Sequence, residues 1–421
     1  MNTLDCYIMK KIISYEDIEM AGPGAYFFGD EERAEVMDVL SSGHLSRYGD
    51  ITDPGFKRKV YTFEQEFAAY CGVKYAVATN SGTSAILVSL LALGVGPGDE
   101  VLVPGYTYVA SISAIVYAQA TPVLVEIDES LTIDPVDIEK KITENTKAIM
   151  VVHMLGNPSK MREIVAIAKK HNLLIVEDGC QAAGATYGGK KVGSIGSMGA
   201  FSLNRYKNMA AGDGGILVTD DKQLYERAFA IHDQGHTPNR IGKDATGSLI
   251  GLNYKMNELT GAVALAQARK LDMMLGILRE KKNELKSKLA SIPNIQFREI
   301  NDMDGECATI LTMILDTKEK AETIAAYLGS KTLAHSGWHV YDNMQQIIRH
   351  KTPVEDWSSA SRYAQPGDLP ATDDILSRAL NISIGVVDAG LGAGFGINIT
   401  SPNDEIESVF EKIKDAYASL N

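Results

Sequence analysis

Leu173-Leu174-Ile175-Val176-Glu177-Asp178 is an apolar run that closes on two carboxylates. Gln181 follows closely. Further on come Phe201-Ser202-Leu203-Asn204-Arg205-Tyr206-Lys207-Asn208 and then Gly212-Asp213-Gly214-Gly215. The first run has the length and composition of a buried strand. Similar short apolar runs recur on both sides of it. Strands are expected at Tyr75–Thr79, Val101–Val103, Val123–Ile127, Ala148–His153, Leu173–Glu177, Ala200–Leu203 and Ile216–Thr219. Helical patterns lie between them at Ser84–Leu93, Val109–Ala118 and Met161–Lys170. Strand–helix alternation predicts an α/β fold with a mostly parallel sheet, helices on both faces and ligands at the strands' carboxyl ends.

Outside that core the pattern changes. Residues 255–290 are helical and charged, as expected of a long helix joining two domains. Beyond it a strand is expected near Ala308–Leu315, a helix near Glu319–Leu328 and a last helix near Asp404–Leu420. The predicted organisation is an N-terminal segment (1–30) packing across the surface, a large domain (31–270) and a smaller C-terminal α+β domain (271–421). No internal repeat or low-complexity tract is evident.

The 421 residues are 45% hydrophobic and 23% charged, which is globular composition, and the net charge is −13. An acidic chain without a basic block argues against nucleic acid or an anionic membrane as partner. Cys6, Cys71, Cys180 and Cys307 are scattered without metal-binding spacing, so no metal is expected and the thiols read as reduced. Cys180 reads as a packing residue rather than a nucleophile. Met1–Cys6 lacks the basic start and apolar core of a signal peptide, so a cytoplasmic chain is expected. Residues 101–125 carry no charge and are long enough to span a bilayer. Pro104, Gly105 and Pro122 interrupt them, and they read as strand, helix and strand.

The order of the remaining motifs points to chemistry. Asn80-Ser81-Gly82-Thr83-Ser84-Ala85 follows a strand and opens a helix, where free N–H groups attract a phosphate. The plain alternative is a capping turn. Pro104-Gly105-Tyr106-Thr107-Tyr108 ends the next strand, and an aromatic there can lie on a flat heterocycle or simply pack. Asp178 can face a pyridine nitrogen, Gln181 a phenolic oxygen, and Ser202 a phosphate. Lys207 can form a Schiff base if burial or a nearby cation keeps it neutral. Cradle, acid and lysine in that order suit an enzyme built on pyridoxal 5'-phosphate.

These residues resemble the DegT/DnrJ/EryC1/StrS sugar aminotransferase family, within the fold-type I PLP-dependent transferases. The similarity is carried by Ser81-Gly82-Thr83, Thr107-Tyr108-Val109-Ala110, Glu177-Asp178 with Gln181, Phe201-Ser202, Lys207 with Gly212-Asp213-Gly214-Gly215, and Leu252-Asn253-Tyr254-Lys255-Met256. It runs from about residue 22 to the C-terminus. The resemblance implies that Lys207 is the Schiff-base lysine and proton shuttle. It implies that Asp178 faces the ring nitrogen, Gln181 the ring oxygen, and Tyr108 the ring face. Gly82, Thr83 and Ser202 would hold the phosphate, and Asn253 would reach it from a neighbouring subunit, so the site implies a homodimer. Gly179-Cys180 and Asn204 depart from the family pattern. A branch with histidine at the lysine position dehydrates sugars; Lys207 argues against it.

For the acceptor, Pro23-Gly24-Ala25-Tyr26-Phe27-Phe28-Gly29, Arg47-Tyr48-Gly49 and Gly337-Trp338-His339-Val340-Tyr341 are similar to a subgroup that forms 8-amino-3,8-dideoxy-manno-octulosonate in lipopolysaccharide biosynthesis. The expected reaction moves the amino group of L-glutamate to that oxidised sugar. The alternatives are a nucleotide-linked 3- or 4-keto sugar as acceptor, or a PLP-binding regulator without turnover. Arg47, Arg205, Arg349 and Lys331 are conceivable partners for a substrate carboxylate, and none is assigned.

Overall fold

Among the described residues seven strands build one sheet: β1 (Tyr75–Thr79), β2 (Glu100–Pro104), β3 (Thr121–Val125), β4 (Thr146–Val152), β5 (Leu174–Asp178), β6 (Met198–Ser202) and β7 (Gly215–Thr219). Their spatial order is β1-β7-β6-β5-β4-β2-β3. Strands β3, β2, β4, β5 and β6 pair in parallel, and β7 runs antiparallel to both β6 and β1. The computed structural model describes residues 20–238, 249–354 and 363–420.

The sheet explains the unbroken apolar runs. Successive side chains on a strand point to opposite faces. Val101, Val103, Met150 and Val152 enter one apolar cluster, with the helices Gly82–Ala92 and Val109–Tyr117. Leu102, Ile149 and Val151 enter another, against the helix Met161–His171. Both faces are covered, so both sets are apolar. The uncharged stretch 101–125 is strand, helix and strand, and among the described residues no helix is long and apolar enough to cross a membrane.

The helix Glu258–Leu289 spans 32 residues, capped by Asn257, whose side chain accepts from the Thr260 N–H. It packs on the helices Asp30–Ser42, Lys59–Cys71 and Asn403–Ala418. After it, strands β8 (Ile310–Ile314) and β9 (Ala379–Ser383) form an antiparallel pair, with the helix Lys318–Leu328 against them.

The N-terminal expectation needs correction. Residues 1–19 lie outside the described residues. From residue 20 the chain does not run across the surface: Ala21 and the turn of helix Pro23–Tyr26 are buried. Gly22 N–H donates to the Arg205 carbonyl at 2.9 Å and Gly24 N–H to the Lys207 carbonyl at 3.2 Å. A Cβ on Gly22 would meet the Tyr206 carbonyl carbon at 2.2 Å. The segment is wedged against the lysine loop, a packing that no local pattern in residues 20–27 announces. The helices Asp30–Ser42, Lys59–Cys71, Lys222–His232 and Pro370–Arg378 also went unread in the sequence.

Candidate active site

Asp178 ends β5 at the carboxyl edge of the sheet and is 5% exposed. Its Oδ2 accepts from the Ser111 hydroxyl at 2.7 Å and its Oδ1 from the Cys180 N–H at 3.0 Å. Ser111 in turn lies 2.8 Å from the Thr107 hydroxyl. Two donors on different elements therefore hold one buried carboxylate in a set orientation. Burial, with Asp178 second, pushes the Cys180 thiol well above its usual range, so it stays protonated and fills the wall.

The cradle forms where the helix Gly82–Ala92 starts. Ser81 caps it, accepting from the Ser84 N–H at 3.1 Å. The N–H groups of Gly82 and Thr83 have no carbonyl within the helix to bind. Ser202, at the end of β6, lies alongside; a Cβ on Gly82 would meet Ser202 Cβ at 2.6 Å. Only glycine allows this approach of helix start to strand end. The departure at Gly179 has a similar cause, because a Cβ there would meet the Phe201 ring at 2.5 Å.

Lys207 occupies the loop after β6, and its N–H donates to the Asn204 carbonyl at 2.9 Å. Across from it lie Tyr108 and His339, with ring centroids 5.1 Å apart. Burial first, and then the charge of Lys207, draws the His339 imidazole down to about 3, so it is neutral. His339 Nδ1 sits 3.2 Å from the Ser336 carbonyl, which places the ring proton on Nδ1 and leaves Nε2 an acceptor. Gln181 accepts from the Leu155 N–H through Oε1 at 3.0 Å.

Gly82, Thr83, Tyr108, Asp178, Gln181, Ser202 and Lys207 all line one cavity of about 520 Å³. That volume falls in the range of small-ligand sites, roughly 300–1,000 Å³. Asn253 does not line it; it is exposed, in a segment bridged to Asp233. The donor set fits pyridoxal phosphate. Free N–H groups and a hydroxyl suit the phosphate, a buried carboxylate suits the ring nitrogen, and one lysine suits the aldehyde. Among the described residues no group of His, Cys, Asp and Glu is arranged to hold a metal.

Other lining residues escaped the sequence reading, notably Ser111, Ser336 and Asp388. Ser111 stands one residue past the Thr107–Ala110 motif, and its spacing on a helix start was the available signal. Asp388 comes from beyond β9, and only folding brings it near. Of the conceivable cations, Arg47 is committed elsewhere. It makes two 2.9 Å bonds to Glu64 and lies 3.0 Å from His232 Nε2. Arg205 is exposed and donates to the Met20 carbonyl. Neither these nor Arg349 and Lys331 line the cavity, where Lys207 is the one lysine or arginine among the described residues.

Comparison with known proteins accords with this geometry. The sequence profile of the DegT/DnrJ/EryC1/StrS aminotransferase family matches residues 28–387. A GDP-perosamine synthase of Caulobacter vibrioides is 39% identical over 62% of this chain and 68% of its own. The dTDP-3-amino-3,4,6-trideoxy-alpha-D-glucose transaminase of Streptomyces venezuelae is 34% identical over 84% of this chain and 87% of its own. Among solved structures, S. venezuelae DesV in complex with a ketimine intermediate superposes with a TM-score of 0.74 and 30% identity, over 92% of this chain and 94% of that one. The 3-amino-5-hydroxybenzoic acid synthase superposes with a TM-score of 0.75 and 26% identity, over 93% of this chain and 97% of its own. A match of that extent, on a shared fold, makes this chain a pyridoxal-phosphate-dependent member of the DegT/DnrJ/EryC1/StrS aminotransferase family.

Proposed function

We propose that this sugar aminotransferase moves the amino group of L-glutamate to a keto sugar carried on a nucleotide. One observation carries the catalytic part: Lys207 and the buried, doubly hydrogen-bonded Asp178 open into one cavity beside a helix N-terminus. The acceptor rests on the similar proteins, whose names speak of GDP- and dTDP-linked amino sugars. The cavity wall adds hydroxyl and carboxylate groups that suit a polyhydroxyl substrate, from Thr107, Asn204, Ser336 and Asp388.

Bound there, pyridoxal phosphate supplies a carbonyl carbon and a ring that draws off electron density. Asp178, held by Ser111 and the Cys180 N–H, would face the ring nitrogen. Gly82, Thr83 and Ser202 would bind the phosphate. The Lys207 amine takes a proton from the donor's α-carbon and returns one on the acceptor side, serving as base and then acid. Tyr108 would cover the ring face. His339, being neutral, accepts a hydrogen bond without competing for that proton.

On this reading the enzyme is a homodimer with composite sites. Asn253 lies outside its own chain's cavity and follows two exposed apolar residues, Ile250, which is 100% exposed, and Leu252. Exposed apolar residues beside a polar one suit a covered surface where Asn253 reaches the partner's phosphate. Mixing Lys207→Ala and Asn253→Ala dimers should restore activity, since one site in each heterodimer then carries neither lesion.

A second reading keeps the 8-oxo form of 3-deoxy-manno-octulosonate as acceptor. Trp338 and His339, from the segment not general to the family, lie on the cavity wall. Among the described residues the cavity holds no lysine or arginine besides Lys207, which weighs against a carboxylated sugar. Two measurements test the whole. Adding glutamate to purified protein must change the cofactor's absorbance, or the protein is a non-catalytic regulator. The reverse reaction, with 2-oxoglutarate and either nucleotide-linked amino sugars or the 8-amino octulosonate, decides the acceptor.

A further inference from the structure

We propose that Arg298 is a positioning residue that orients the Gln181 amide through the turn at Met154–Gly156, a role that rests on Gln181 facing the cofactor's ring oxygen. Arg298 is 3% exposed and far from Gln181 in sequence. Its Nη1 donates to the Met154 carbonyl at 3.2 Å and its Nη2 to the Leu155 carbonyl at 2.9 Å. Leu155 N–H then donates to Gln181 Oε1 at 3.0 Å. A backbone N–H can only donate, so the atom it meets must be the amide oxygen. The Gln181 NH₂ is left for the cavity that Gln181 lines.

The turn needs this support. Leu155 sits at φ 55, ψ 32, a left-handed conformation that a leucine adopts only when its surroundings impose it. Gly156 follows at φ 76, and its carbonyl accepts from the Cys307 N–H at 2.9 Å. A neutral side chain would fill the space under the turn at less cost, because burial weighs against the Arg298 charge. The nearby carboxylate of Glu306 is bonded to Lys282 at 2.5 Å. Arg298 Nε has no hydrogen-bond partner among the described residues. What the guanidinium adds over a neutral residue is a fork across two successive carbonyls, which fixes the direction of the Leu155 N–H between them.

The test is a pH titration of the holoenzyme's visible absorbance. A donor at the ring oxygen stabilises its negative charge, so losing that donor raises the midpoint. Gln181→Ala and Arg298→Met should each raise it by about one pH unit, the size of one hydrogen bond to a charged oxygen. The double variant should rise no further than either single one. Arg298→Lys, which cannot span both carbonyls, should fall between wild type and Arg298→Met. It decides the matter if Arg298→Met loses its near-ultraviolet circular dichroism. A shift in Gln181→Ala with none in either Arg298 variant overturns the relay but spares the role of Gln181. Additive shifts overturn it as well. No shift in Gln181→Ala removes the ring-oxygen reading and the relay with it.

Discussion

The floor of the cavity and its far wall are built by different means. The floor consists of Asp178, Ser202 and the Gly82–Thr83 helix start, at the ends of adjacent strands or next to them, with Ser111 tying Asp178 to a neighbouring helix. The wall, Ser336–His339 and Asp388–Gly390, consists of 3₁₀ turns and loops from the C-terminal part. It docks along Gly105–Thr107 through single bonds, the Thr107 N–H to the His339 carbonyl at 2.9 Å and the Tyr341 N–H to the Gly105 carbonyl at 3.0 Å. A floor on rigid elements suits groups that must not move during proton transfer, and a wall of loops suits selecting a substrate.

That contrast can be broken by substitution, starting on the floor. Lys207→Ala should lower turnover by about 10⁴, the upper end for losing a general acid–base, with the melting temperature unchanged. Borohydride reduction of wild type followed by peptide mapping should label Lys207, and a label on another lysine would refute the assignment. Gly82→Ala should follow in size. Its new Cβ meets Ser202 Cβ at 2.6 Å, and overpacking of about 1–3 kcal/mol would weaken cofactor binding by roughly five- to a hundredfold. A fluorescence titration of the apoenzyme reads this directly, and undiminished affinity would mean that the phosphate sits elsewhere.

Ser111→Ala sharpens the comparison. It removes one of two donors to Asp178, about 1.5–3 kcal/mol for a bond to a charged group, and should cost tenfold or somewhat more in turnover. An equal loss in acceptor KM alone would move Ser111 from floor to wall. The smallest effect belongs to the wall. With its imidazole at about 3, His339 is neutral between about pH 5 and 8, so its protonation cannot form the acid limb of the rate profile there. His339→Asn should raise the acceptor KM by a few-fold and leave that limb where it is. A displaced limb would show that the wall titrates with the chemistry.

The same contrast explains what could be read in advance. Strands β1 to β7 were legible because a strand buried on both faces is apolar throughout, and the ends of β5 and β6 were marked by chemical residues, Asp178 and Ser202. The helices Asp30–Ser42 and Lys222–His232 were missed because half-buried helices carry mixed surfaces, and their apolar stripe is defined only by the helix they meet. Arg47 stood among conceivable substrate partners because a loop arginine looks free in sequence. Folding buries it against Glu64 and the neutral His232, whose imidazole burial draws to about 3.

The sequence by itself determined the order of cradle, acid and lysine, and with it the cofactor. Those groups sit where the chain changes from strand to helix or loop, and such changes are written in local periodicity and turn chemistry. Only the tertiary structure decided that Gly22–Gly24 closes over the lysine loop, that Asp388 and His339 complete the cavity, and that Arg298 braces the turn beside Gln181. These partners are far apart along the chain, and packing, not local conformational preference, sets which of them meet.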